Sequence, residues 1–418
     1  MSDPCFKPGL MPFEQAQKAL QDAAEQYISK VPRKIRSIPI WEADGNIVAS
    51  EVISPIAVPG HDNSAMDGYA LNLSSDALEQ TSFEVIGAAF AGQPFQGELR
   101  QGQAIKIMTG AKLPEGANAV EMKENVERAS EQQITLQQPA RLNANIRRAG
   151  EDIELNQTVF VPGHRLSPAD VGLLASLGKT EIEVYAPPKV AIFSTGDELK
   201  APGQALSDGD IYESNRYVVI TMLRRLGAEV IDLGIIPDDK SAIKDAFLRA
   251  DAEADLVLSS GGVSVGDADY TKEVLDDIGQ VGFWKIAMKP GKPLAFGSLP
   301  NSLFMGLPGN PVSATVTFYH LAKRVIDVLS HADVQGSVKF SATTTAKIKK
   351  RPGRRDFQRG IAYPNEQGQW VVEPLSQQGS GILSSISRAN CFIDLPADNA
   401  GYQQGEQVMV EMFAAYLK

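Results

Sequence analysis

Between residues 188 and 330, short apolar runs that break into glycine, serine and acid alternate with stretches of helical periodicity, and this alternation constrains the fold more than any other feature. "KVAIFSTGDEL" opens it, with Val190, Ala191, Ile192 and Phe193 forming an apolar run before Ser194, Thr195 and Gly196. That is the pattern of a buried strand leading into a loop. In "SNRYVVITMLRRLGAEV", Val219, Met222, Leu223 and Leu226 fall on one helical face, with Ser214 as N-cap and Gly227 as C-terminal stop. "VIDLGIIPDD" supplies a second strand, "SAIKDAFLRA" a second helix through Ile243, Ala246 and Phe247, and "DLVLSS" a third strand. A helix restarts at "DYTKEVLDDIG", and "SLFMGLPGNPVSATVTFYHLAKRVIDVL" adds a strand, a loop and a long helix. Such alternation makes an open, mostly parallel sheet.

Open sheets of this kind bind ligands beyond the carboxyl ends of their strands. Ser194 to Glu198, Pro237 to Asp239, "SSGGVSVGDADYTK" from 259 and "GLPGNP" at 306 to 311 all lie at such ends, so they are expected to converge on one crevice. Gly261, Gly262 and Gly266 let backbone approach a ligand closely, and Ser259, Ser260 and Ser264 offer hydroxyls, the makings of an oxyanion or phosphate cradle. A tight turn with Asp267 or Asp269 as N-cap reads the same residues equally well. Neither a dinucleotide fingerprint nor a P-loop fits.

Asp269, Asp238 and Glu198 stand at the ends of different strands, where carboxylates repel unless a cation joins them; Mg²⁺ suits, being held by one or two carboxylates plus substrate phosphates. Helix capping is the structural alternative. Lys285, Lys289 and Lys292 interrupt the strand-like "FWKIAMKPGKPLAFG", with Pro290 and Pro293 stiffening the turn. A cation-anion contact at about 4 Å and an effective dielectric near 20 is worth roughly 4 kcal/mol before desolvation. One helix terminus gives about 0.3 to 1 kcal/mol, so an anion pocket would depend on these lysines.

Residues 55 to 148 carry short strand and turn signals and read as a small β domain, and the chain from about 336 reads as β with turns. Pro187-Pro188 makes a rigid junction into the β-α repeat. "PGHDNSAMDGYA", the Thr109 turn and "NIRRAGED", in which Arg147 and Arg148 pair with Glu151 and Asp152, read as polar loops. "RPGRRDFQRG" and "QQGSGILSS" read likewise, although a basic loop and a Gly-Ser loop would together suit a tetrahedral oxyanion.

The 418 residues suggest about three domains, and 43% hydrophobic with 22% charged residues is ordinary globular composition. No apolar run reaches membrane-spanning length and no signal peptide is visible, so cytoplasm is expected. Cys5 and Cys391 support neither a disulfide framework nor a zinc site. A net charge of -11 argues against nucleic-acid binding but leaves an anionic small substrate open, because screening makes a pocket respond to its nearest cations.

"PGHDNSAMDGYA", "NIRRAGEDI", "FSTGDEL", "SSGGVSVGDADYTK", "KPGKP", "GLPGNPVSA" and "PGRRDFQRG", in this order, closely resemble the molybdopterin molybdenumtransferases, the family of MoeA and the gephyrin E domain. The resemblance spans nearly the whole chain. It implies insertion of molybdate into adenylylated molybdopterin with release of AMP and help from Mg²⁺, in a homodimer of multidomain chains. The implied fold is α/β plus β: a three-layer α/β molybdopterin-binding domain with a mostly parallel sheet at 184–332 and a C-terminal β domain at 333–418. A small β domain at 54–148 and an elongated discontinuous domain from 1–53 and 149–183 complete it.

By motif, the resemblance assigns functional positions to Asp67 and Thr109, expected to complete the other subunit's crevice, and to Glu198, Asp238, Asp269, Lys285 and Lys289, with Glu198, Asp238 and Asp269 as the Mg²⁺ set. Ser259, Gly261, Gly262, Ser264, Gly266, Lys292, Pro308, Asn310 and Pro311 would bind the pterin substrate, and Arg354 and Ser380 molybdate. A molybdopterin adenylyltransferase and downstream cofactor-handling proteins are the expected partners. A molybdopterin adenylyltransferase activity of the chain itself and a non-catalytic dimeric scaffold are the rival readings.

Overall fold

In a computed structural model, residues 9–74, 79–128, 130–261, 270–334 and 336–418 are described. The β-α repeat forms one six-stranded sheet from β1 (Lys189–Thr195), β2 (Glu229–Ile236), β3 (Leu256–Ser260), β4 (Gln280–Lys285), β5 (Pro293–Ser298) and β6 (Leu303–Leu307). Their order is β2-β1-β3-β6-β5-β4. β1 pairs in parallel with β2 and β3, and β3 with β6, while β5 runs antiparallel to both β6 and β4.

The strands are apolar on both faces because both faces are covered. Val190, Ile192, Leu256, Leu258 and Met305 join the core beneath α1 (Asn215–Arg225). Ala191, Phe193, Val257 and Phe304 pack instead against Ile243, Phe247 and Ala250 of α2 (Lys240–Glu253) and Val274 and Leu275 of α3 (Tyr270–Ile278). The predicted face of α1 is buried, and Gly227, at φ +84°, follows its end. Its cap differs from the expectation: the Ser214 hydroxyl caps nothing among the described residues, and the Glu213 carboxylate accepts the Arg216 N–H at 2.7 Å instead. α2 is capped by Asp239, whose carboxylate accepts from Ala242 N at 2.9 Å. The long terminal helix begins as α4 (Pro311–Thr317), widens through a π-helical turn at Phe318–Ala322 and ends as α5 (Lys323–Leu329).

Four further parts of the chain accompany this sheet. A helix at Phe13–Lys30 buries Phe13, Ala16, Leu20 and Ala24, spaced three or four apart, in the α1-side core. Strands Ile35–Pro39 and Glu181–Tyr185 pair, as do Val52–Ile53 and Thr158–Phe160, so sequence-distant segments share a core of Ile38, Val48, Phe160, Leu174 and Val184. Between them in sequence, Gly68–Leu71, Ser82–Ala89, Gln103–Ile107 and Ala119–Met122 belong to a second six-stranded sheet. A third includes Arg355–Pro364, Cys391–Leu395 and Gln407–Met412. It also takes in Met288–Lys289, paired in parallel with Arg355 and Asp356, so "KPGKP" joins the α/β sheet to the C-terminal one.

Candidate active site

Register brings the predicted strand ends to one edge. Thr195 lies opposite Ile236, Ser194 opposite Ser260, and Ser260 opposite Leu307. Because β5 is antiparallel to both neighbours, β4 points the same way as β6; Lys285 therefore ends β4, and Pro293 begins β5, at that same edge. The β1 and β2 loops are tied directly, the Asp238 N–H donating to Asp197 Oδ1 at 3.2 Å.

Glu198 folds back over Gly196, whose φ of +146° favours glycine; a Cβ there would stand 2.6 Å from Glu198 Oε2 and push the exposed carboxylate aside. At Gly261, φ +91°, a Cβ would meet the Thr195 carbonyl oxygen at 2.9 Å. The close approach of two strand-end loops therefore requires this glycine. Glu198 and Asp238 are both exposed, and neither is a helix cap. Asp269, with Gly262, Ser264, Gly266 and Asp267, lies outside the described residues. Among the described residues no group of three or more His, Cys, Asp or Glu could hold a metal ion.

Beneath the edge lies a polar network that the sequence reading did not single out. Ser194 Oγ donates to Glu213 Oε1 at 3.2 Å. The buried Arg216 pairs with Asp232 of β2 and lies 3.5 Å from Glu213. Asn215 Nδ2 donates to Ser260 Oγ at 3.0 Å and to the Gly309 carbonyl at 2.7 Å. Ser259 Oγ is buried with no partner among the described residues. The available signal was the run Glu213, Asn215 and Arg216 where a helix begins, polar groups at positions that pack against strand ends.

In the "GLPGNP" loop, Asn310 precedes α4 and Pro311 occupies its first turn, where a missing N–H costs little; Pro308 lies just beyond β6. The Val312 N–H donates to the Ser380 carbonyl at 2.9 Å, which docks the C-terminal Gly-Ser loop here. Ser380 is thus brought in through its backbone.

A cleft of about 650 Å³ is lined by Lys289, Lys349, Lys350, Arg351, Pro352, Gly353, Arg354 and Asp356. Lys289 pairs with Asp356 at 3.1 Å, and that carboxylate is the only acid in a lining with five cations. Burial pushes the Lys350 ammonium below its ordinary value, opposed by Asp356 and Asp398 and reinforced by Lys289 and Arg354. Such a lining favours an anion. Lys285 and Lys292 are exposed and stand outside it. Lys349 and Lys350 lie in the stretch from about 336 that reads as β with turns, and the basic run from there to Arg354 is the signal that marks the cleft.

Asp67 and Thr109 meet in the small β sheet's loops. Asp67 Oδ1 accepts from both the Thr109 N–H and its hydroxyl at 2.8 Å, and Lys123 Nζ lies 3.9 Å from Oδ2. The Thr109 amide, then its hydroxyl, hold the Asp67 carboxyl below the usual carboxylate range. Among the described residues no hydrogen bond or ion pair connects Asp67 or Thr109 to the strand-end loops. The expected pairing of Arg148 with Glu151 and Asp152 is corrected: its guanidinium pairs with Asp62 at 2.6 Å, and Glu151 accepts only its backbone N–H, at 2.8 Å. Asp62 also accepts from Ala149 N, so two loops distant in sequence clamp each other.

No helix among the described residues is long and apolar enough to cross a membrane. Family profiles match in three consecutive parts: "MoeA N-terminal region (domain I and II)" at residues 11–178, "Probable molybdopterin binding domain" at 191–328 and "MoeA C-terminal region (domain IV)" at 341–413. The molybdopterin molybdenumtransferase of Haemophilus influenzae is 48% identical over 388 residues, covering 91% of this chain and 95% of that protein. That of a Nostoc species is 35% identical, covering 94% and 93%. The crystal structure of the molybdopterin biosynthesis moeA protein from Pyrococcus horikoshii superposes with a TM-score of 0.82 at 30% identity, over 97% of this chain and 100% of that one.

Proposed function

The chain belongs to the MoeA family of molybdopterin molybdenumtransferases and is a transferase of molybdenum cofactor biosynthesis, and we propose that it inserts molybdate into adenylylated molybdopterin at the strand-end crevice, releasing AMP. Lys289 carries this reading. It follows the end of β4 at the crevice edge and also lines the basic cleft, so one residue joins a surface suited to a phosphorylated pterin to one suited to a tetrahedral oxyanion.

Ser259, Ser260 and the "GLPGNP" loop would hold the pterin phosphates, with the Gly-Ser residues that follow Gly261 completing the cradle. Lys285 and Lys292 would neutralise charge from the β4 and β5 ends, and Lys289, Lys350 and Arg354 would hold molybdate in the basic cleft, with Ser380 as a further candidate contact. The substrate's own dithiolene sulfurs are the ligands that take up molybdenum, so no side-chain nucleophile is needed. Glu198 and Asp238, exposed hard oxygen donors on loops tied together through Asp197, have the chemistry that Mg²⁺ takes and would hold it. When bound, that ion supplies charge neutralisation at the phosphates as AMP departs.

We assign the elongated domain to 1–53 and 149–183, the small β domain to 54–148, the α/β domain to 184–332 and the C-terminal β domain to 333–418. The shared core of Ile38, Val48, Phe160 and Leu174 supports the first division. The protein works as a cytoplasmic homodimer in which Asp67 and Thr109 serve the partner subunit's crevice. Trp41, 73% exposed, with the exposed Ile35 and Val161 in the segments that flank this core, would supply apolar surface for that contact. An adenylyltransferase would not need the flanking β domains.

Purified protein mixed with adenylylated molybdopterin and Mg²⁺ should release AMP in proportion to added molybdate, read by chromatography, with molybdenum retained on the pterin. Substrate that binds and stays intact at every molybdate concentration refutes insertion.

A further inference from the structure

We propose that Asn215 is a positioning residue for the pterin substrate: its amide fixes Ser260 as a hydrogen-bond donor at the crevice and pins the "GLPGNP" loop beside it. This rests on the crevice being the pterin site. An asparagine side chain has two amide protons, and Asn215 gives one to Ser260 Oγ and the other to the Gly309 carbonyl. Ser260 therefore accepts from Asn215 and keeps its own proton, which no acceptor among the described residues takes. A hydroxyl that accepts from Asn215 and still has its proton to give suits a phosphate oxygen better than a cation.

The amide itself is held in place. Asn215 is buried at the first turn of α1, whose start is fixed by Glu213 accepting from Arg216 N–H and from Ser194, while the Arg216 guanidinium clamps α1 to Asp232 of β2. Three residues beyond Gly309, the Val312 N–H docks the Ser380 loop through its own backbone contact, which does not pass through Asn215.

Asn215→Asp preserves shape and reverses polarity. A carboxylate would take the Ser260 proton and face the Gly309 carbonyl without a donor. Binding of adenylylated molybdopterin, measured at equilibrium without molybdate, should weaken about tenfold in Asn215→Ala, the loss of a buried hydrogen bond, and further in Asn215→Asp. KM for molybdate should stay within about twofold, because Asn215 touches nothing in the basic cleft. Ser260→Ala, a milder change, should weaken pterin binding alike, and adding it to Asn215→Ala should cost little more.

Wild-type pterin affinity in Asn215→Asp overturns the proposal, as does a parallel rise in KM for molybdate, which would mark general loosening. If no protein in the series releases AMP yet the order of pterin affinities holds, insertion falls and the role of Asn215 stands.

Discussion

Asp67 has its charge fixed by the Thr109 amide and hydroxyl, which makes it an acceptor locked in one orientation and deprotonated over a wider pH range than a free carboxyl. If it serves the crevice of a partner, Asp67→Ala should lower AMP release at least about tenfold. Thr109→Val, which leaves the amide bond to Asp67, should cost less. Steady-state rates of the two variants check this, and the reverse order would transfer the role to the hydroxyl. At this scale the sequence was partly legible. Glu198, Asp238 and Lys285 could be placed at the sheet's carboxyl edge because each stands where an apolar run stops, and a strand end is a position that sequence periodicity reveals. Lys350 was legible only as part of a basic run with Arg351 and Arg354; that this run shares a cleft with Lys289, distant in sequence, is what proximity in the chain does not specify. Arg148 shows the converse, since its nearest acids in sequence are not the acid it pairs with.

Elements were more legible than contacts. α1 and α2 form where their apolar spacing predicts, because an amphipathic face has only one way to bury itself on a sheet. The capping groups were harder to read, since Ser, Asp and Glu near a helix start compete for the same N–H groups and local geometry selects Glu213 over Ser214. Strand packing imposes its own requirements. Gly68, beside Asp67, pairs with Met122 and Ile107 on its two sides, and a Cβ there would stand 1.9 Å from the Glu121 carbonyl oxygen. Gly68→Ala should destabilise the small β sheet by about 1 to 3 kcal/mol or more. Limited proteolysis should show faster cleavage within 54–148 while the α/β sheet stays protected; equal protection throughout would mean that the strand shifts to accommodate the methyl group.

His320 lies where the parts of the molecule meet. It is carried by the π-helical turn, stacks on Phe357 of the C-terminal sheet at 3.9 Å, and its carbonyl accepts from Gln17 of the N-terminal helix at 3.1 Å. Burial pushes its pKa down to about 4, against the pull of Glu411 and Asp394, with Lys339 and Arg355 adding to the depression. The unfolded chain binds a proton at this residue below about 6.5 that the folded protein refuses until about 4, so its stabilising contribution is complete above 6.5 and falls through that window. Denaturant melts at pH 7 and pH 4.5 should show His320→Phe losing less stability on acidification than wild type, by roughly 2 to 3 kcal/mol; identical losses would place the acid sensitivity elsewhere. The sequence by itself determined the β-α repeat, the edge at which loops gather and, through its ordered motifs, the family, because periodicity and local turn chemistry are properties of neighbouring residues. The tertiary structure alone decided which residues make the core that 35–53 and 158–185 share, a union that periodicity did not reveal and only the family resemblance implied, that "KPGKP" crosses into the C-terminal sheet, and that Asn215 holds two crevice loops together. Those are contacts between distant segments, fixed by how faces bury one another and left open by any single stretch of chain.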